Sequence, residues 1–478
     1  MQLFRTKSVE QTIAETGEEG RKLKRNLTWW DLSIMGVAVA VGAGIFSVGA
    51  QAAAFHAGPA VIISFLIAGI VCGAAVMCYA EFASMIPVAG SVISKYWGVY
   101  LNDFMRLMGW NANTNLTFGS FHIDIAPIII VAFFTTLLVF GTKIGARVDG
   151  AMTVLKIAIV FFVVIVGFFY VKASNFTPFI PPSQPASTVE GSSAVTGVMT
   201  QPLWQFATGM TPSVYGVPGI LSGAALVFFA FIGFDVVATA SEETKNPHKN
   251  VPLGIGVGML LIIVMYMLVA VVTTGMVSYA DLAKQDSPSL ATAFELVGAD
   301  WAAKIISFGI VLGLATVVMV LLLGLTRIVF AMSRDGLLPR GLSKTGKHGT
   351  PAALQIVVGA VVALVAAFFD IGVLSDMVNI GTLSAFTLVA ISIPIMRKKR
   401  PDLPRAFKMP GSPWIPILIA VANFWLMLNL SVLTWIRFVV WLVVGSAIYF
   451  GYGYWHARLG KGDLTETLSA ETDKAVNG

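Results

Sequence analysis

Charge is scarce in this chain. Asp, Glu, Lys and Arg make up 12% of its 478 residues, 56% are hydrophobic, and the mean hydropathy is +0.82. That balance excludes an ordinary soluble domain and leaves an all-α polytopic membrane protein. Cysteine is nearly absent: Cys72 and Cys78 share one apolar run with no His or Cys partners nearby, which leaves a disulfide framework and structural zinc unsupported and makes both small core residues. The histidines, His56, His122, His248, His348 and His456, are scattered without metal-ligand or catalytic spacing. There is no nucleophile elbow, no pair of catalytic carboxylates and no phosphate loop; Gly254-Ile255-Gly256-Val257-Gly258 lacks the Lys-Ser/Thr of such a loop and reads as helix packing. A catalytic residue, a metal and a cofactor are therefore not expected. The net charge of +6 comes mostly from short loops, where it reports membrane orientation and not nucleic-acid binding.

A spanning helix needs roughly 20 mainly apolar residues. The segments that qualify run about Leu32 to Ala54, Pro59 to Met85, Ile123 to Gly141, Ala151 to Val171, Gly219 to Ala240, Leu253 to Val277, Trp301 to Met332, Ala352 to Phe369, Val373 to Met396, Trp414 to Leu433 and Trp435 to Tyr454. Lys143 and Arg147, Lys245 and Lys249, Arg334 to Lys347, Arg397 to Lys408, and Arg458 with Lys461 lie in alternate connections, whereas the loop from Lys172 to Pro218 is nearly uncharged. The first 30 residues carry Arg5, Lys7, Arg21, Lys22, Lys24 and Arg25 without the apolar core of a secretory signal, so both chain ends are expected in the cytoplasm. Counting then fails by one crossing between Pro87 and Ile123. The stretch from Val92 to Trp110 holds Lys95, Asn102, Asp103 and Arg106, charges that cost about 2.5 to 3.5 kcal/mol each at mid-bilayer. It reads as the remnant of a helix.

Two apolar runs carry interruptions. Glycine costs about 1 kcal/mol inside a helix, so Val41-Gly42-Ala43-Gly44-Ile45-Phe46 suggests either a point of unwinding or close packing through small residues. A second interrupted run, Phe229-Ala230-Phe231-Ile232-Gly233-Phe234-Asp235, shifts the balance toward unwinding. Unwound backbone at bilayer depth must line a cavity, and it supplies donors for a carboxylate and acceptors for an ammonium without formal charge. Val41, Gly42, Ala43, Gly44 and Ile45 are assigned to the carboxylate end, and Ala230, Phe231 and Ile232, before Gly233, to the ammonium end.

Gly42-Ala43-Gly44-Ile45-Phe46, Tyr79 to Ser91, Phe228 to Asp235, Glu242-Glu243-Thr244-Lys245-Asn246-Pro247, Arg334 to Pro339, Val378-Asn379-Ile380-Gly381-Thr382-Leu383 and Arg400 to Arg405 resemble, in order, the cationic amino acid transporter family of the amino acid-polyamine-organocation superfamily. The resemblance implies a leucine-transporter-like fold of inverted repeats with broken helices 1 and 6. Here that means eleven full spans and a truncated helix 3, because Gly90-Ser91 runs directly into Val92 to Gly98, the outer end of that helix in the family. Ala43 stands where many relatives carry Thr or Ser.

The expected organisation is a cytoplasmic segment 1–30, a first repeat 31–171, an outer loop 172–218, a second repeat 219–396, two added helices 397–455 and a cytoplasmic tail 456–478. The resemblance also implies alternating-access uptake of amino acids across the cell membrane, with the amino acid, protons and the lipid bilayer as partners and no nucleic acid. Lys156 matches the lysine that replaces a bound sodium in proton-coupled members of the fold; the plain alternative is a side chain that snorkels to the cytoplasmic surface. Phe231 is the expected aromatic gate, while Glu81 and Asp235 read as structural carboxylates. A cationic substrate needs an acidic pocket wall, which the missing part of helix 3 would have provided, so small neutral amino acids fit at least as well. The rival reading is a transport-inactive binder or sensor.

Overall fold

Thr28 is why the first helix starts where it does. Its hydroxyl accepts from the Asp31 amide while the Asp31 carboxylate accepts from the Thr28 amide at 2.8 Å, a reciprocal cap for α1, Trp29–Ala40. The computed structural model describes residues 27–42, 44–80, 89–110, 114–118, 121–140, 143–188, 197–234, 237, 244–285, 288–334, 336–343, 351–399, 401 and 408–456. Helix α1 ends at Val41, whose extended ψ of 93° breaks the ladder, and coil resumes as a mixed π- and α-helical run over 44–57.

The main helices that follow are α2, Val61–Ala80; α3, Ala89–Leu107; α4, Ile125–Phe140; α5, Lys143–Phe168; α6, Gly216–Val227; α7, Pro247–Met276; α8, Asp300–Arg334; α9, Ala352–Phe368; α10, Ile371–Lys399; α11, Trp414–Leu428; and α12, Val432–Ile448. A short antiparallel hairpin, β1 Asn115–Phe118 with β2 Phe121–Asp124, leads into α4. Each segment expected from hydropathy is mainly helical in its described part; the exceptions are the breaks at Val41–Gly42 and Ile232–Phe234, segment ends such as Ile123 and Asp124, which lie in β2, and the turn at Asn429–Leu430. By length and composition, five described helical runs are able to cross a membrane: Gly44–Cys78, His248–Met276, Asp300–Phe330, Ile371–Lys399 and Val432–His456; shorter apolar helices accompany them.

The core is built around α1, α6 and their unwound continuations. Helices α2 and α7 flank the pair, while α3 packs along α8. Helices α11 and α12 lie outside, and α12 turns Val439 to Val444 outward in a continuous exposed strip.

Helix α3 is the element that hydropathy could not place. Its 19 residues rise about 28 Å. Ile93 lies at the central hollow, Tyr100 donates to the Phe46 carbonyl, and Arg106 forms two 2.8 Å bonds to Glu295. The helix thus runs from the middle of the molecule to the side that carries the loops after α5 and α7, where the Lys172 amide donates to Gly275. The connection 81–88 and, with it, Glu81 lie outside the described residues, as do Ala43, Asp235 and Glu242.

Candidate functional site

The two interruptions face each other across a gap set by glycine. A Cβ on Gly44 would lie 2.2 Å from the Ala230 Cα, so only a residue without a side chain lets the two main chains touch. At the second break α6 tightens into a 3-10 turn, Phe228–Phe231, then Ile232 becomes extended and Gly233 takes φ +101°, a left-handed value that favours glycine. Gly42, Gly44, Ile232 and Gly233 line one hollow together with Val39, Ala40, Ile93, Phe229, Val317 and Leu321. Its water-sized space is about 20 Å³, a little over the roughly 10–15 Å³ that one water needs. In this conformation the hollow offers a space smaller than an amino acid, and every described side chain on its wall is apolar.

Breaking a helix frees carbonyls, and several near the breaks have found side-chain donors. On the first side, Val41 N donates back to Val37 O at 3.0 Å, the Lys156 ammonium donates to Ala38 O at 3.1 Å, and the Tyr266 hydroxyl donates to Ala40 O at 2.7 Å. On the second, the Asn379 amide donates to Ala225 O at 3.1 Å and Leu226 O at 3.4 Å, Tyr266 reaches Ala230 O at 2.9 Å, and the Cys72 thiol points at Phe231 O. Toward the end of the bundle that carries the 172–215 connection the two halves are tied directly: His56 Nδ1 meets Ser222 Oγ at 3.0 Å, and Tyr215 donates through its amide to His56 O and through its hydroxyl to Ala54 O.

Lys156 sits beneath the first break. Only 1% of it is exposed, so it does not snorkel; its stem crosses Gly313 of α8, where a Cβ would lie 2.7 Å from Lys156 Cγ. An ammonium at the C-terminal end of α1 is placed where the helix dipole and the freed carbonyls favour positive charge.

The structure therefore gathers most, but not all, of the expected residues. Gly42, Gly44, Ile232 and Gly233 reach the hollow. Val41 and Ile45 are buried beside it in the core, and Ala230 contributes main chain against Gly44. Phe231 faces away, with its ring 5.2 Å from that of Tyr266 and 6.4 Å from that of Phe65; Phe229 supplies the aromatic wall instead. Tyr266 and Tyr100 escaped the sequence reading. Tyr266 is a lone polar aromatic in an apolar helix, and that isolation was the available signal; Tyr100 shares α3 with Tyr96, Trp97 and several charged residues, and nothing in its setting singled it out. Among the described residues no group of three or more His, Cys, Asp or Glu side chains is placed to hold a metal.

Residues 92–452 match the family model described as amino acid permease. Over 495 residues the chain is 38% identical to the branched-chain amino acid permease BcaP of Bacillus subtilis (strain 168), covering 96% of this chain and 99% of that protein. It is 36% identical, at the same coverage, to the methylthioribose transporter of that organism. The vacuolar cationic amino acid transporter 4 of Arabidopsis thaliana is 31% identical over 84% of this chain and 68% of its own length. These relatives are transporters and not enzymes. With a family model spanning most of its length, two facing helix breaks and relatives aligned almost end to end, the chain belongs to the amino acid permease family.

Proposed function

We propose that the chain carries neutral, apolar amino acids by proton-coupled alternating access across the cell membrane. The observation that carries this reading is the composition of the hollow: main-chain groups from both breaks, apolar side chains from α1, α3, α8 and the turn after α6, and, among the described residues, no carboxylate. A zwitterion's charged ends are then met by backbone dipoles, as in other carriers with discontinuous helices, while an arginine or lysine side chain would be left unpaired in an apolar wall. The Bacillus subtilis and Lactococcus lactis relatives named branched-chain amino acid permease BcaP support the same class.

Val41, Gly42, Ala43, Gly44 and Ile45 form the carboxylate end of the site in this reading, and Ala230, Phe231, Ile232 and Gly233 the ammonium end. Phe229 is the wall that moves to admit substrate. Lys156, by exchanging its proton, alters its hold on Ala38 and so couples proton movement to the first break. The architecture is that of two inverted repeats with broken helices 1 and 6, N- and C-termini inside, and a third helix shortened to its outer part. The shortening draws support from α3, whose Ile93, near its N-terminal end, lies at the hollow while its C-terminal end reaches Glu295. The retained part still bears Ile93 at the hollow and Tyr100 on Phe46, which favours a working carrier over an inactive sensor.

Counterflow in proteoliposomes tests the proposal. Labelled leucine, isoleucine or valine should accumulate against unlabelled leucine, and external arginine should not compete. Binding without exchange would establish the sensor instead; equal competition by arginine would remove the neutral-substrate reading. An Arg106→Cys variant labelled only from outside would support the orientation.

A further inference from the structure

Ten buried side-chain oxygens meet no partner among the described residues, and three of them belong to a single helix face. Ser375, Asn379 and Thr382 of α10 stand at i, i+4 and i+7, with exposures of 1%, 0% and 3%; no other described element contributes more than one such atom. The Asn379 amide nitrogen is fully engaged with the carbonyls of Ala225 and Leu226, so its Oδ1 is the acceptor left over. Ser375 Oγ meets no partner at full hydrogen-bond geometry, although the Tyr96 hydroxyl of α3 stands beside it. Unpaired polar atoms are costly in any interior and more so where no bulk water is at hand.

We propose that this face of α10 holds a string of ordered water molecules, a buried hydration site enclosed by α10, α6 and α3 whose outer end is the Asp376 carboxylate. The chemistry fits water. Two hydroxyls and an amide oxygen both donate and accept as a group, and none carries charge, so neither an anion nor a divalent cation is called for. Side chains at i and i+4 have Cβ atoms about 5–6 Å apart, the distance that one bridging water covers with two hydrogen bonds. At the outer end Asp376 accepts from Thr434 of α12 at 3.0 Å and lies in the field of Arg437, so a charged and partly accessible group joins the string to the surface. At the inner end the ring of Phe386 packs at 6.2 Å from that of Phe228, beside the second helix break. Tyr96 lies 6.0 Å from Phe229, ring to ring, which places the hydrated seam one aromatic ring behind the wall of the central hollow. When α6 shifts, partners made of water exchange without leaving the Ala225 and Leu226 carbonyls or Asn379 stranded.

X-ray hydroxyl-radical footprinting of the full-length protein in nanodiscs tests the site, because radicals generated from bound water label the side chains beside it. Tyr96 and Phe386 are as buried as Phe65, at 1%, 2% and 0% exposure, so accessibility alone predicts equal labelling. The expected result is modification of Tyr96 and Phe386 several-fold faster than of Phe65, which sits in the aromatic cluster with Phe231 and Tyr266. Thr382→Val, nearly the same shape, should bring the Phe386 rate down to that of Phe65 while Tyr96 stays fast. Tyr96 and Phe386 labelled as slowly as Phe65 in the unmodified protein overturns the proposal, as does an unchanged Phe386 rate in Thr382→Val. The readout is hydration and not transport, so it stands or falls separately from the substrate reading.

Discussion

At the first helix break the freed carbonyls of Ala38 and Ala40 are met by an ammonium and a phenol; at the second, those of Ala225, Leu226 and Ala230 are met by a carboxamide and the same phenol, with no formal charge. The difference lies in sequence: Lys156 comes from α5, which packs against α8 and α1, whereas α6 is approached by α10, whose buried polar residues are neutral. Among the described residues, a cation at one break and none at the other gives the hollow a polarity that its apolar walls lack. In the proposed reading, this polarity would draw a carboxylate toward the side with the helix start and the lysine, and an ammonium toward the neutral carbonyls.

The largest effect that would break this comparison is at the contact between the breaks. Gly44→Val places a side chain where the Ala230 Cα stands 2.2 Å away and should abolish leucine counterflow; Gly42→Ala, whose Cβ would have nothing closer than 3.8 Å, should yield a protein of nearly unchanged melting temperature. Next comes the charge itself. Lys156→Ala should leave uptake that no longer responds to pH, read as initial rates across imposed proton gradients, and an unaltered pH profile would remove Lys156 from coupling. Tyr266→Phe leaves two carbonyls without their shared donor and should cost about 1–3 kcal/mol, seen as a lower melting temperature together with slowed exchange. The smallest effect lies far from both breaks. Lys284 beside Asp281, at 2.8 Å, holds that carboxyl below the usual carboxylate range. A lowered folded pKa adds stability above the unfolded value and loses it as pH falls through the folded one, so Lys284→Ala should shift stability by under about 1 kcal/mol, and only above that acidic window.

Hydropathy and two glycine-containing interruptions were enough to place the helices and to bring Gly42, Gly44, Ile232 and Gly233 to one point, because length and chain stiffness act locally. The aromatic wall was misjudged by two residues. Phe228, Phe229 and Phe231 share one short run, and the switch from 3.6 to 3 residues per turn over Phe228–Phe231 rotates each ring in a way that no apolar period reveals. The donors Tyr266 and Asn379 were hidden for a different reason. Their acceptors lie 226 and 154 residues away along the chain, and only the packing of α7 and α10 on the breaks brings them there. Helix α3 was half legible: its charges argued against a full span, and in the fold each has partners, Arg106 near the C-terminal end on Glu295 and Lys95, in the N-terminal half, on the Phe369 carbonyl near Asp124.

A phenol owns one hydrogen, and Tyr266 presents it to two acceptors, 2.7 and 2.9 Å away, that belong to the two different helix breaks. One side chain from α7 thereby clasps both interruptions at once. Whatever disturbs either acceptor is felt at the other through a single shared hydrogen.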